Sequence, residues 1–112
     1  MPEPEPSLAQ TFADHCRAGE LAHQVDADGR PVWPPRVGLR WRVGGGTGTV
    51  HATTTVHPRD GEPYDVSLIE LDEGHRMMSR VEGVAPAEVR IGMRVRVRFT
   101  RDDPPVPVFV PA

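Results

Sequence analysis

The chain of 112 residues contains one cysteine, Cys16, no lysine, and few aromatic residues, 5 % of the total. A single cysteine excludes an intramolecular disulfide and a cysteine-built zinc cluster. Nothing in the sequence approaches the ~18 consecutive apolar residues of a membrane-spanning helix. The opening run, MPEPEP, is acidic and proline-rich, the reverse of the basic start and apolar stretch of a secretion signal. The expectation is a cytoplasmic protein, with residues 1–6 as a disordered tail. The scarcity of aromatics also argues against single-strand nucleic-acid binding, which wants stacking rings in a basic groove. Charge agrees: the net value is -3, and residues 37–112 carry ten acids and ten arginines.

All 13 basic residues are arginine. Codon usage accounts for this first, and arginine's suitability for fixed, bidentate contacts second. A chain of this length forms one domain with a thin core. It gains stability from closure, a partner or a covalent staple, and the staple is missing.

Periodicity supplies the elements. Ser7 and Gln10 have the spacing of a capping box. Leu8, Phe12 and Cys16 fall on one face of a helix over about 8–18, which Gly19 stops. A short strand over 20–25 pairs back with Val32 and Trp33 as a small hairpin, ended by Pro34 and Pro35. From Leu39 onward the pattern is β. Strands are expected at about 39–43, 48–57, 64–71, 76–81 and 94–99, with Val106, Val108 and Val110 alternating in a final edge strand. In the second of these, Val50, Ala52, Thr54 and Val56 should share a face. Residues 82–91 read as a short helical turn plus loop. The fold class is all-β: an OB-type five-stranded Greek-key barrel over 37–112, preceded by a helix and a small ribbon-like segment over 7–36. An SH3-like barrel and a small sandwich compete with it.

Few residue sets carry chemistry. Arg94, Arg96 and Arg98 form a basic row, fit for the phosphates of a nucleotide or coenzyme A, for an acidic partner, or simply for solvent. Gly44 to Gly48, with Gly46 and Gly48 at its end, is either a phosphate cradle or a bend; it lacks a P-loop's Lys-Ser/Thr ending. His51, His57 and His75 have no nucleophile in a recognisable frame, and Cys16 lies on the apolar stripe, so no catalytic residue is assigned. Phe12, Trp33 and Trp41, beside Pro34, Pro35 and Arg36, are the aromatic-plus-arginine material of interface hot spots.

These motifs, in this order, resemble the small zinc-ribbon plus OB-fold proteins that accompany thiolases, thiolase-like aldolases and MaoC-type enoyl-CoA hydratases. Phe12, Gly19, Leu21 and Gln24 resemble that family's N-terminal helix and lead-in. Asp28-Gly29-Arg30 and Trp33-Pro34-Pro35-Arg36 resemble its ribbon turn and aromatic-Pro-Pro-Arg signature. Gly46 to Val50 resembles the GxGxV-like opening of its barrel. Pro63-Tyr64 through Leu71, Ile91-Gly92-Met93 with Val95 to Phe99, and Pro107 to Pro111 resemble its later blocks. The likeness runs from about residue 8 to 112.

The resemblance implies a non-catalytic accessory subunit in a hetero-oligomer with a larger thiolase-like or MaoC-like enzyme. The substrates would be acyl-CoA compounds of lipid or steroid metabolism. Coenzyme A or acyl-CoA would be bound, if at all, jointly with that partner. The family's two zinc-holding cysteine pairs are absent: Val25 and Asp28 stand where the first would be. The expectation is therefore a degenerate ribbon without metal. A single-stranded nucleic-acid binder and a stand-alone enzyme or small-ligand binder are the alternatives.

Overall fold

The structure is a computed structural model and describes residues 6–112; the expected tail lies, but for Pro6, outside the described residues. Helix α1 spans Leu8–Arg17. Its start is a reciprocal box: the Gln10 N–H donates to Ser7 Oγ at 3.1 Å, and the Ser7 N–H donates to Gln10 Oε1 at 2.9 Å. Gly19, at φ 76°, turns the chain out of the helix. Cys16 faces inward and is buried.

Two sheets follow. The first has the order β2-β1-β3, from β1 (Ala22–Val25), β2 (Pro31–Val32) and β3 (Arg40–Val43). The predicted hairpin is present, with Gln24 opposite Val32. The strand at 39–43 was expected to open the barrel and does not. It pairs antiparallel with β1, Ala22 opposite Val43 and Val25 opposite Arg40. The ladder runs on through Gly44, whose N–H donates to the Leu21 carbonyl at 2.9 Å, and only then does the glycine run bend the chain away.

The second sheet is the barrel, from β4 (Thr47–Val56), β5 (Tyr64–Leu71), β6 (Arg76–Ser79), β7 (Arg94–Phe99) and β8 (Pro107–Pro111). Its hydrogen-bonded order is β6-β5-β4-β7-β8. Val81, just past β6, bridges Phe109 of β8 in parallel and closes the ring. There the Glu82 N–H reaches the Phe109 carbonyl at 2.7 Å, and the Phe109 N–H reaches the Arg80 carbonyl at 3.0 Å. Strands β6 and β8 thus become neighbours across a long connection, a Greek-key closure of the OB type. The final strand is consequently not the free edge expected from its alternation. Pro107, Val108 and Phe109 are all buried because β8 has neighbours on both sides.

The face assignment of β4 also changes. The register against β5 slips between Val50 and Ala52, leaving His51 as an extra residue. Such a bulge reverses the inward and outward alternation beyond it. Val50 is buried, but Ala52 and Thr54 are exposed while Thr53 and Thr55 turn inward. The barrel core is Val50, Ile69, Leu71, Met77, Val81, Val89, Val95 and Phe109, and Leu21 joins it from the small sheet. A one-turn 3-10 helix, Pro86–Glu88, occupies the expected helical connection.

One polar group is built into this core. Asp65 is 3 % exposed, and its carboxylate accepts the Val81 N–H at 2.9 Å and the Ser67 hydroxyl at 2.8 Å. The carboxylate therefore ties β5 to the closing segment, and its lone pairs are used rather than stranded.

Candidate functional site

The small sheet and the barrel meet at a ladder of rings contributed by five separate places in the chain. Phe12 of α1 lies edge-on to Trp33 with centroids 5.3 Å apart, and 6.4 Å from Trp41 of β3. Trp33 is 6.1 Å from His75, and His75 stacks on His23 of β1 at 4.5 Å. His15, paired with Glu20 at 3.0 Å, borders Trp41 at 5.9 Å. Edge-on and offset ring pairs of this kind add to the area they bury. Three of the residues expected at an interface, Phe12, Trp33 and Trp41, are thus brought together, and each is half-buried. Pro34 and Arg36 are exposed beside them, Pro35 is half-buried, and the Trp33–Pro34 peptide is cis.

Gln24, which is fully buried, holds the loop that carries these residues. Its Nε2 donates to the Arg36 carbonyl at 2.8 Å, and its Oε1 accepts the Arg36 N–H at 2.6 Å. The loop then presents Val37, 90 % exposed, at the rim of a recess of about 500 Å³ floored by Leu8, Thr11, Leu39 and Trp41. The neighbouring turn is closed by Asp26, whose Oδ1 accepts the N–H groups of Asp28 and Arg30 at 2.9 and 3.0 Å. This loop and this turn are therefore held by a carboxamide and a carboxylate bonded to backbone. Among the described residues no group of three or more His, Cys, Asp or Glu is placed to hold a metal ion. The residues present do not fit a tetrahedral zinc centre.

His23 and His75 are 2 % and 8 % exposed, and the Nδ1 of each has no hydrogen-bond partner among the described residues. Burial pushes the His75 imidazole down to about 4, the stacked His23 ring adds to this, and Glu73 opposes it. Burial also lowers His23, against the pull of Glu73 and with the push of Arg42. Burial raises the Cys16 thiol, so the thiolate is disfavoured there. His51 and His57 are exposed on and beside β4, away from this pair. The sequence singled out His75 but not its partner. The signal available was local: His23 and Gln24 are adjacent polar residues inside an otherwise apolar strand.

The basic row is real as a row and mostly spoken for. Arg94, Arg96 and Arg98 are exposed along β7. Arg94 grips Asp72 with both terminal nitrogens, at 2.7 and 2.8 Å, and also donates to Thr49 Oγ1 at 3.0 Å. That fork, with the Thr47 hydroxyl, holds the Asp72 carboxyl well below the usual carboxylate range. Arg98 is paired with Glu82, which also takes Arg80 at 2.7 Å. Arg96 alone has no ion-pair partner among the described residues.

Gly46 and Gly48 have packing reasons to be glycine. A Cβ on Gly46, at φ 77°, would stand 2.6 Å from Val97 Cγ1, and one on Gly48 would stand 2.5 Å from the Glu70 carbonyl oxygen. They let three strands approach closely where β4 begins.

The barrel face that OB folds turn to oligonucleotides, built on the second and third strands and the last loop, is here an apolar groove of about 440 Å³. Tyr64, Met78 and Val106 line it, each about half exposed or more. Tyr64 is its one aromatic ring, and its one arginine, Arg80, is already paired with Glu82. That is not a stacking platform in a basic channel.

The family profile described as "ChsH2, C-terminal OB-fold domain" matches residues 41–100. The chain belongs to this family. A relative in Mycobacterium tuberculosis, named the alpha subunit of 3-oxo-4,17-pregnadiene-20-carboxyl-CoA hydratase, is 36 % identical over 100 residues; the match covers 79 % of this chain and 32 % of that protein. A probable enoyl-CoA hydratase alpha subunit of Thermomonospora curvata is 40 % identical over 73 residues, covering 60 % and 23 %. A DUF35 domain-containing scaffold protein of Methanocaldococcus jannaschii is 39 % identical over 61 residues, covering 50 % and 43 %. The chain therefore spans less than half of the length of each of these relatives, from 23 % to 43 %. A solved structure titled "Ltp2-ChsH2(DUF35) aldolase" superposes with a TM-score of 0.78 at 28 % identity, covering 99 % of this chain and 98 % of the matched one. The likeness thus takes in the helix and small sheet as well as the barrel. Both the expected OB class and the expected family hold.

Proposed function

We propose that this chain is a non-catalytic accessory subunit that docks on a larger enzyme processing acyl-CoA substrates, as an aldolase or hydratase does. The observation that carries the reading is the end-to-end likeness to a chain of the solved Ltp2-ChsH2(DUF35) aldolase. The hydratase alpha subunits among its relatives point to the same class of substrate, one of them to a steroid side chain. The docking face is the ring ladder and its loop, Phe12, Trp33, Pro34, Pro35, Arg36 and Trp41, which offers half-buried aromatic anchors with an arginine at the rim. Catalytic groups belong to the partner in this reading, and the complex is read as cytoplasmic. Coenzyme A, where the barrel meets it, would find Arg96 as the guanidinium of the row without an ion-pair partner among the described residues, because Arg94 and Arg98 already hold Asp72 and Glu82.

The test is co-expression with a thiolase-like aldolase or MaoC-like hydratase from the same genome, followed by size exclusion and an activity assay with and without the small chain. Co-elution and higher activity or yield of the large subunit are expected. A small chain that always elutes alone defeats the reading.

A further inference from the structure

We infer that His23 and His75 form an acid-operated latch that releases the small sheet from the barrel. The pair joins two separately built units: His23 belongs to β1 of the small sheet, and His75 to the turn between β5 and β6 of the barrel. Their rings stack at 4.5 Å with 29° between planes. This contact leaves the Nδ1 of each imidazole buried without a hydrogen-bond partner among the described residues. Two phenyl rings would pack the same space without stranding a polar atom, which costs free energy wherever it occurs. Histidine in both places therefore calls for a reason beyond packing, and what it adds over phenylalanine is protonation in the mildly acidic range.

The surroundings set the response. From the barrel turn, Glu73 is the charged group that favours protonation, and from β3, Arg42 opposes it. From the loop after β2, Trp33 presents an uncharged ring to His75. On α1, His15 is already paired with Glu20 and touches Trp41 instead. No carboxylate bonds to the Nδ1 of either imidazole of the latch among the described residues. A proton on one ring puts a cation against the other ring in a nearly dry contact. Opening the sheets hydrates it.

The sign follows from linkage. His75 is held to about 4 in the closed form, against 6.5 when free, and His23 is shifted the same way. The closed form is therefore fully favoured above pH 6.5 and loses ground as pH falls toward 4. The barrel's own closure, through Val81 and Phe109, uses neither ring. Release of the small sheet should precede unfolding of the barrel, and it would carry Trp33 and Trp41 with it. Leu21, Phe12 and Trp33 supply the apolar part of the same join and limit how far it opens at neutral pH.

Hydrogen exchange of the full chain between pH 7 and 4, corrected for intrinsic rates, tests this directly, alongside NMR titration of the imidazoles. Exchange of β1, β2 and β3 amides should accelerate by up to about tenfold per pH unit for each proton taken up, while β4, β5 and β7 stay protected. Red-shifted tryptophan emission should accompany it. His75→Phe and His23→Phe should each flatten the dependence, and one of the two variants suffices if the other fails to fold. An unchanged slope in the variants, loss of both sheets in one step, or ordinary titration of both rings near 6.5 with the small sheet intact would overturn the latch. The measurement uses this chain alone, so its outcome is separate from whether a partner docks.

Discussion

The side-chain amide of Gln24 and the backbone of Arg36 hold each other by two hydrogen bonds, at 2.6 and 2.8 Å, with Gln24 fully buried. A glutamine used this way acts as a piece of β-strand supplied by a side chain. It satisfies one N–H and one C=O of a loop that has no ladder of its own. That loop presents Arg36 and Val37, so the geometry of the proposed docking face depends on a residue that never touches solvent.

Gln24→Leu should therefore cost more than its small change in volume suggests. It leaves the Arg36 N–H and C=O without partners in a half-buried site, at about 1–3 kcal/mol for each group that stays dry. A loss of about 2–4 kcal/mol in urea unfolding is expected. Gln24→Glu should cost at least as much at neutral pH, because an ionised carboxylate at this fully buried position loses the donor and faces the Arg36 carbonyl. Equal stability of wild type and Gln24→Leu would mean that water replaces both bonds.

Three glycine substitutions separate backbone strain from packing. Gly92 has φ 90° and open space where a Cβ would go. Gly92→Ala should cost roughly 1 kcal/mol, the conformational term alone. Gly46→Ala adds a 2.6 Å clash with Val97 to a positive φ, and Gly48→Ala meets the Glu70 carbonyl at 2.5 Å at a φ that other residues adopt. Both should cost more than Gly92→Ala, by about 1–3 kcal/mol. Thermal denaturation of the three variants checks the order. If Gly46→Ala matched Gly92→Ala, the strands around β4 would be looser than drawn.

Much of this architecture was legible from residue patterns. The Ser7–Gln10 box, the α1 stripe, the β5–β6 hairpin and the alternation of arginine with valine along β7 each rest on contacts near in sequence, which fixed spacings report. What was not legible depends on distant contacts. The run Arg40–Val43 reads as a strand, but nothing in it says that its partner is β1 instead of β4 or β7. The bulge at His51 looks like unbroken alternation until the register against β5 is seen. His23 and His75 are 52 residues apart and meet only because the small sheet folds over a barrel turn. The aromatic residues of the candidate interface were picked by type, and their convergence came from the fold. The arginine row was visible as chemistry, but Asp72 and Glu82, which occupy two of its members, come from other strands and loops.

The buried carboxylate of Asp65 gives a prediction about closure. It accepts the Val81 N–H at the point where the ring is completed by a single parallel bridge. Asp65→Ala strands that N–H, while the Ser67 hydroxyl keeps Thr53 Oγ1 at 3.0 Å, for a loss of about 1–3 kcal/mol. The defect should appear first as faster exchange of the Val81, Glu82 and Phe109 amides. Uniformly faster exchange throughout the barrel would assign Asp65 to global stability instead of to the seam.

The docking reading makes its own demand, which stability measurements cannot meet. Val37 is 90 % exposed and Trp41 lines the recess beneath it. A side chain that exposed contributes little to the isolated fold, so Val37→Asp should leave the melting temperature within a degree or two. If the loop seats against a partner, the same change buries a carboxylate in an apolar contact. The dissociation constant should then rise tenfold or more, about 1.4 kcal/mol or above. Arg96→Glu, on the opposite unit of the molecule, separates the two proposed surfaces. It should leave assembly intact and weaken only acyl-CoA binding by the complex. Isothermal titration with the co-expressed large subunit reads the first effect, and the Michaelis constant for the acyl-CoA substrate reads the second. Loss of assembly in Arg96→Glu with Val37→Asp unaffected would move the docking face from the small sheet to β7.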